Sequence, residues 1–120
     1  MSSTDLAVTV DASDVPTLSA AVEVAAYRIA SEALTNTARH ASARTASVRL
    51  IGEAHTLLVE VTDDGDGISP DVVAGVGLRS IRERAAELGG HTEITCPDGG
   101  GTRVRAWLPT TLGPVEEAPA

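Results

Sequence analysis

Lysine and phenylalanine are absent from this sequence of 120 residues, and cysteine, tryptophan and tyrosine occur once each. Without lysine the chain cannot form a nucleotide-binding P-loop, because that motif needs a lysine to reach the phosphates. The single cysteine, Cys96, cannot form an internal disulfide, and together with three scattered histidines it offers no zinc-ligand spacing. A disulfide scaffold and a zinc finger are therefore excluded, and a reducing compartment is favoured.

Basic residues are also scarce. All nine are arginine, against seventeen acidic residues, and the formal net charge is -8. This charge argues against a surface that binds nucleic acid or acidic lipids. No stretch approaches the roughly 20 apolar residues of a membrane span, and the start of the chain lacks the pattern of a secretion signal. We therefore predict a cytoplasmic domain with no nucleic-acid partner and no direct membrane contact.

The apolar residues, 42% of the chain, are mainly alanine, valine, leucine and isoleucine, so we expect an aliphatic core. The length suits one domain, predicted at residues 1–110, followed by a disordered tail at residues 111–120 that is rich in Pro, Glu and Ala. Cys96 is expected to be a small buried hydrophobe in a strand. Tyr27 and Trp107 are expected to pack at the rim of a sheet.

Hydrophobic periodicity predicts the secondary structure. A helix of about 20 residues is expected after Pro16, ending near His40. A second helix, opened by Gly75-Val76-Gly77, is expected to stop at Gly89-Gly90. A hairpin turn is predicted at Gly52–His55. Alternating apolar residues predict strands at 6–10, 46–50, 56–62, 92–96 and 102–108. Strands joined mostly by hairpins, with two main helices, indicate an α+β two-layer sandwich.

The first predicted helix carries polar residues on its packing side. Glu32 and Asn36, four residues apart, fall on or beside an apolar stripe formed by Val22, Ala26, Ile29 and Ala33. Burying such groups without partners costs about 1 to 3 kcal/mol each. We therefore expect a hard cation or a bound polar ligand to supply the missing partners.

An acidic loop, Asp63–Gly67, follows the third predicted strand. Its residues 64–67 fit part of a calcium-binding loop, but the three further positions of that motif fall on Thr62, Ser69 and Val73, which do not satisfy it. A calcium site is therefore disfavoured. From these residues alone, a plain acidic turn and a ligand-binding loop both stay open.

Glycines also open the second predicted helix. Gly75 and Gly77 suit phosphate, because they let the backbone approach an oxyanion at a helix N-terminus. As a dinucleotide fingerprint the stretch is poor, since Ser80 stands where the last glycine is required. Arg79, Arg82 and Arg84 are expected to form a solvated helix face rather than a phosphate clamp.

Four motifs occur in the order that is typical of the ATP-binding domain of sensor histidine kinases, and between residues 17 and 109 the chain resembles that family. In chain order the motifs are Glu32-x-x-x-Asn36 with Arg39-His40, Asp63-x-Gly65-x-Gly67, Gly75-x-Gly77-Leu78 and Gly99-Gly100-Gly101-Thr102. In the same order they resemble the N box, the two glycine boxes and the closing Gly-x-Gly-Thr of that family. The family belongs to the superfamily of gyrase, Hsp90, histidine kinase and MutL ATPases. The short spacer between the glycine boxes and the segment 77–90 resemble the nitrate-sensor and DesK-like subfamily.

The resemblance implies a Bergerat-type ATPase fold, with a mixed, mostly antiparallel sheet packed on helices, and it implies ATP and Mg²⁺ as cofactors. Glu32 would be the catalytic residue, Asn36 the magnesium ligand and Asp63 the acceptor for the adenine amino group. Thr102 would help to bind the base, and Arg39 would reach the phosphates. The full set of implied nucleotide-binding residues is Asn36, Arg39, His40, Asp63, Gly65, Gly67, Ile68, Gly75, Val76, Gly77, Leu78 and Thr102.

The resemblance also implies partners. In this family the phosphate-accepting histidine lies on a separate helical hairpin, and none of His40, His55 and His91 lies in such a segment. We therefore expect the chain to bind ATP without phosphorylating itself. Its γ-phosphate would pass to a histidine on the dimerisation domain of a parent kinase, which can be membrane-anchored, and then to a response regulator.

Two other functions fit the same motifs. One is a serine protein kinase of the anti-sigma-factor type, from the same superfamily. The other is a non-catalytic nucleotide-binding module that regulates a partner.

Overall fold

The computed structural model describes residues 6–12, 15–40, 43–65, 76–97 and 99–110. Within these ranges the chain forms five strands and two helices. In chain order they are β1 (Ala7–Asp11), α1 (Ala20–His40), β2 (Thr45–Glu53), β3 (Thr56–Asp63), α2 (Val76–Glu87), β4 (His91–Thr95) and β5 (Thr102–Pro109). This order confirms the prediction. The predicted hairpin turn was too wide, because the β2–β3 ladder continues to the pair Glu53 and Thr56 and leaves only two residues between the strands.

The sheet is mixed, with strand order β1-β2-β3-β5-β4. Only β1 and β2 pair in parallel, whereas the β2–β3, β3–β5 and β4–β5 ladders are antiparallel. Strand β5 lies between β3 and β4. Because β3 and β5 are antiparallel, the end of β3 at Asp63 lies opposite the start of β5 at Thr102. The predicted α+β two-layer sandwich with a mostly antiparallel sheet is therefore confirmed.

The core lies between one face of the sheet and the two helices. Ile29 on α1 and Ile81 on α2 are fully buried, and they meet alternate residues of the central strands, Leu57, Val59, Val61, Val104, Ala106 and Leu108. Each fully buried aliphatic side chain contributes about 1.5 to 3 kcal/mol relative to an exposed one. The aliphatic core expected from the composition is thus confirmed, and it fixes α1 against β3.

Local signals set the ends of both helices. The Ser19 hydroxyl accepts a hydrogen bond from the N–H of Val22 at 3.3 Å, which is the N-cap geometry that starts α1. Helix α2 ends in a Schellman motif, in which the N–H of Gly90 bonds to the carbonyl of Ala85 at 2.8 Å and Gly89 has a φ of 82°. The predicted stop at Gly89-Gly90 is confirmed.

The other face of the sheet carries a row of alternating charges across all five strands. Directly opposed residues in this row are Asp11, Arg49, Glu60, Arg105 and Glu93. Glu60 is buried, and its carboxylate is paired with Arg105 at 2.9 Å and Arg49 at 3.3 Å. Its burial is therefore explained within the sheet.

Two packing predictions are wrong. Cys96 is exposed, because β4 ends at Thr95, one residue earlier than expected. Tyr27 is 73% exposed, because it points away from the buried stripe of α1. Trp107 does lie towards the edge of the sheet, half-buried, where its ring stacks on that of His91 with 4.7 Å between centroids.

Neither of the two described helices combines the length and the apolar character of a membrane span. The predicted tail at residues 111–120 lies outside the described residues, as do Gly67, Ile68 and Gly75.

Candidate functional site

Helix α1 connects the end of β3 to α2 through two side-chain hydrogen bonds. The Thr37 hydroxyl donates to Asp63 Oδ2 at 2.9 Å, and the Ser80 hydroxyl donates to Glu32 Oε2 at 3.3 Å. Asn36 lies between Glu32 and Thr37 along the helix. The structure therefore brings Glu32 and Asn36 on α1 and Asp63 on β3 to one end of the two-layer sandwich.

Asp63 is the last residue of β3 and is only 7% exposed. Its second carboxylate oxygen, Oδ1, accepts the N–H of Gly65 at 2.8 Å. Each oxygen therefore has one partner from the protein, and because a carboxylate can accept about four hydrogen bonds in all, it can still receive a donor from a ligand. The carboxylate is held from two sides without being saturated.

The turn before β5 packs directly on Asp63. Gly101 has a φ of 87°, and a Cβ at this position would lie 2.0 Å from the carbonyl oxygen of Asp63. Only glycine fits such an approach. Thr102, which pairs across the ladder with Asp63, is 2% exposed, and its hydroxyl oxygen is buried without a hydrogen-bond partner.

Three of the predicted site residues bury polar atoms without hydrogen-bond partners. Within the described part of the chain five side-chain atoms are of this kind, and three of them are Glu32 Oε1, Asn36 Nδ2 and Thr102 Oγ1. The other two belong to the guanidinium groups of Arg84 and Arg103. Native structures rarely leave such atoms unsatisfied unless a ligand or water completes them. The prediction that α1 turns a carboxylate and an amide towards its packing side is confirmed.

The neighbouring carboxylate, Asp64, has a structural task. It accepts hydrogen bonds from the N–H groups of Arg44 and Thr45 at 2.9 and 3.0 Å, and from the Thr45 hydroxyl at 2.9 Å. These donors, the Thr45 N–H first, hold the pKa of Asp64 below its ordinary value. Asp64 therefore anchors the start of β2, and of these two adjacent acids only Asp63 is buried beside α1.

The other predicted site residues lie near these positions in the chain. Arg39 and His40 end α1, and Val76 and Gly77 begin α2; the structure describes these four by their backbone. Leu78 is 2% exposed and belongs to the core, where it packs beneath the start of α2.

Sequence reasoning missed Thr37 and Ser80. Thr37 had a signal, because it lies four residues after Ala33 and so extends the buried stripe of α1 with a hydroxyl group. Ser80 had none, since its contact with Glu32 depends on how α2 packs against α1.

Within the described residues, Asn36 does not belong to a dedicated metal cage. In the described ranges no group of three or more His, Cys, Asp or Glu side chains could hold a metal ion. Mg²⁺ commonly takes one or two oxygen ligands from the protein, together with water and phosphate oxygens. The side-chain oxygen of Asn36 is a ligand of that kind, whereas its unpartnered Nδ2 is a hydrogen-bond donor and suits a phosphate oxygen.

Three comparisons with known proteins agree with this geometry. Residues 21–112 match the family described as histidine kinase-, DNA gyrase B-, and HSP90-like ATPase. The chain is 37% identical over 94 residues to the sensor histidine kinase LiaS of Bacillus subtilis, covering 77% of this chain. It is 35% identical over 97 residues to the signal transduction histidine-protein kinase/phosphatase UhpB of Salmonella typhimurium, covering 80% of this chain.

Among solved structures, the histidine kinase domain from the blue-light activated histidine kinase of Erythrobacter litoralis EL346 superposes with a TM-score of 0.75 at 29% identity. The match covers 89% of this chain and 52% of that domain. The chain spans 26% of the length of LiaS and 19% of that of UhpB, so these curated relatives are several times longer.

Proposed function

Because the chain belongs to the histidine kinase-, DNA gyrase B- and HSP90-like ATPase family and is a catalytic domain of the histidine kinase type, we propose that it binds Mg-ATP and donates the γ-phosphate to a histidine of a separate dimerisation domain. The observation that carries the proposal is that three predicted site residues, Glu32, Asn36 and Thr102, each bury a polar side-chain atom without a partner. A bound Mg-nucleotide would give Asn36 Nδ2 and the Thr102 hydroxyl their partners, and the imidazole that receives the phosphate would give Glu32 Oε1 its partner. A cytoplasmic location, where ATP is available, is part of the proposal.

The base would bind at the end of β3. Asp63 would accept a hydrogen bond from the exocyclic amino group of adenine, and the Thr102 hydroxyl would contact the ring directly or through a water molecule. Guanine carries an oxygen at the same ring position, which would face the Asp63 carboxylate as a second acceptor. The arrangement would therefore select ATP over GTP.

The phosphates would lie along α1 towards the start of α2. The side-chain oxygen of Asn36 would hold Mg²⁺, whose charge would offset that of the phosphate oxygens. Arg39 and the backbone of Gly75 and Gly77 would provide further phosphate contacts. These roles follow from the motif resemblance and from the position of each residue in the chain.

Glu32 would act on the histidine that receives the phosphoryl group. Its Oε1 atom would accept the N–H of the incoming imidazole, which orients the opposite ring nitrogen for attack on the γ-phosphorus. The new P–N bond would form as the P–O bond to the β-phosphate breaks, with ADP as the leaving group. Ser80, hydrogen-bonded to Oε2, would keep Glu32 in place.

Phosphoryl transfer can be tested with labelled Mg-ATP and two candidate acceptors, a histidine hairpin from a related sensor kinase and a protein of the anti-anti-sigma type. We expect acid-labile label on the hairpin, and none when its acceptor histidine is replaced by glutamine. Acid-stable label on the other protein would instead indicate a serine kinase, and ATP binding without transfer a regulatory module. The named relatives are sensor kinases, which favours the first outcome.

A further inference from the structure

Thr37 lies in the polar cluster that surrounds Asp63, although none of the four sequence motifs assigns it a role. It is 5% exposed and donates from its hydroxyl to Asp63 Oδ2 at 2.9 Å, across 26 residues of sequence. A buried threonine on a helix commonly bonds to a backbone carbonyl one turn earlier. Here the hydroxyl bonds to the carboxylate at the end of the neighbouring strand instead.

We infer that Thr37 is a positioning residue that sets nucleotide specificity by fixing the Asp63 carboxylate in the orientation that receives the adenine amino group. The inference rests on the proposed function and extends it to a residue of α1. The Thr37 hydroxyl holds Oδ2 and the Gly65 N–H holds Oδ1, so rotation of the carboxylate about its last bond is blocked from both sides. The lone pairs that remain free then point in fixed directions.

Loss of the Thr37 hydroxyl would remove one of these two restraints. The carboxylate would be held by Gly65 alone and could turn to find another donor for Oδ2. A ligand that needs the carboxylate in one orientation would lose affinity, because binding would have to restore that orientation. A ligand that does not use the carboxylate would be affected little.

Thr37→Val tests this, because valine has nearly the same shape and lacks the hydroxyl. Calorimetry would compare Mg-ATP with the triphosphate of purine riboside, which lacks the 6-amino group. We expect ATP affinity to fall by about tenfold, as for a lost hydrogen bond to a charged group, while affinity for the analogue changes less than about twofold. Thr37→Ser, which keeps the hydroxyl, is expected to restore the preference for ATP.

The matched control is Thr35→Val, the same substitution at an exposed position two residues earlier on α1. It is expected to leave the ratio of the two affinities unchanged. Should Thr37→Val fail to give a cooperative melting transition, Thr37→Ala removes the same hydroxyl without placing a methyl group against the carboxylate.

The outcomes separate the two proposals. If the parent chain binds ATP, and Thr37→Val weakens ATP and the analogue equally or weakens neither, Thr37 has only a structural role and the inference is overturned. If the parent chain binds no adenine nucleotide at all, the proposed function is overturned together with the inference. Selective loss of ATP binding, with rescue by serine, supports both.

Discussion

The two ends of the candidate site, named the base end and the phosphate end after the proposed binding mode, differ in how far the protein alone completes them. At the base end, both oxygens of Asp63 accept protein hydrogen bonds of 2.8 and 2.9 Å, and Gly101 packs on its backbone. At the phosphate end, Glu32 has one hydrogen bond of 3.3 Å and one unpartnered oxygen, and the amide nitrogen of Asn36 has no partner. The base end is thus preorganised around Asp63, with the Thr102 hydroxyl left for the ligand, whereas at the phosphate end both Glu32 and Asn36 have atoms that depend on the ligand.

This difference has a physical reason. A base is recognised by a few directional hydrogen bonds, so the acceptor has to be held in place before the base arrives. A triphosphate with its metal ion brings its own charges and oxygen ligands, and can complete groups that the protein leaves unsatisfied. Substitutions at the two ends should accordingly have different signatures, which the following predictions use in order of expected effect.

The largest effect is expected from Gly101→Ala at the base end. The new Cβ would meet the Asp63 carbonyl oxygen at 2.0 Å, on a backbone with a φ of 87°. The backbone of Asp63 or of the turn would have to shift, and we expect a loss of about 3 kcal/mol or more in the free energy of unfolding. Chemical denaturation would measure it.

Gly99→Ala is the matched control for that substitution, since a Cβ there would meet nothing within 4 Å. It is expected to change stability by less than about 0.5 kcal/mol. Equal losses in the two variants would show that the turn before β5 is not constrained by its contact with Asp63.

Asp63→Asn is expected to weaken ATP binding by about 100-fold, a typical loss for a charge-assisted hydrogen bond, while GTP binding is little affected or improved. The Gly65 N–H would retain the amide oxygen as its acceptor, so the amide NH₂ would face the adenine amino group, donor against donor. Competition binding with both nucleotides would measure the change in preference.

Asp64→Asn removes the neighbouring carboxylate and is the control for the loss of one negative charge near the site. Because Asp64 bonds to Arg44 and Thr45, its loss should leave the ratio of ATP to GTP affinity unchanged. Equal nucleotide preferences in the Asp63 variant and the parent chain would refute the adenine contact.

Asn36→Ala tests the phosphate end. We expect the affinity for ATP in the presence of magnesium to fall by about tenfold, because the loss of a metal ligand weakens the metal-dependent part of binding. The parent chain in EDTA should bind ATP as weakly as the variant does with magnesium. A variant that still binds more tightly on addition of magnesium would exclude Asn36 as the ligand.

The smallest effect is expected in the pH dependence of folding stability, to which the Asp64 carboxylate contributes. Its pKa is lowered in the folded state by the donors of Thr45 and Arg44, so its contribution to stability is present above the unfolded-state pKa of about 3.9 and is lost as pH falls through the folded-state value. Asp64→Asn should therefore melt at a lower temperature than the parent at pH 7, with the difference shrinking below about pH 4. A difference that stays constant down to pH 2 would contradict this assignment.

Most of the fold was predictable because its signals are local. The alternation of Leu57, Val59 and Val61 indicated β3, and Gly89-Gly90 indicated the end of α2. The errors came where burial depends on distant parts of the chain. Tyr27 lies on the exposed side of α1, and Cys96 lies just beyond the last paired residue of β4.

The site was predictable in part. The positions of Glu32 and Asn36 on the packing side of α1 followed from helical periodicity, and their unpartnered atoms agree with it. Thr37 and Ser80 were not identified, because each acts through a partner on another element, Asp63 and Glu32 respectively. Periodicity indicates which side of an element a residue occupies, but it does not indicate what lies opposite.

By itself the sequence determined the order of helices and strands, the aliphatic core and the motifs that carry the polar groups, since each depends on residues a few positions apart. Only the tertiary structure decided that Asp63, and not the adjacent Asp64, is enclosed by Thr37, Gly65 and Gly101. Side chains alternate along a strand, and the pairing of β3 with β2 and β5 determines what each one meets. Alternation along β3 puts Asp63 on the core face with Val59 and Val61, but only packing decides which groups surround its carboxylate.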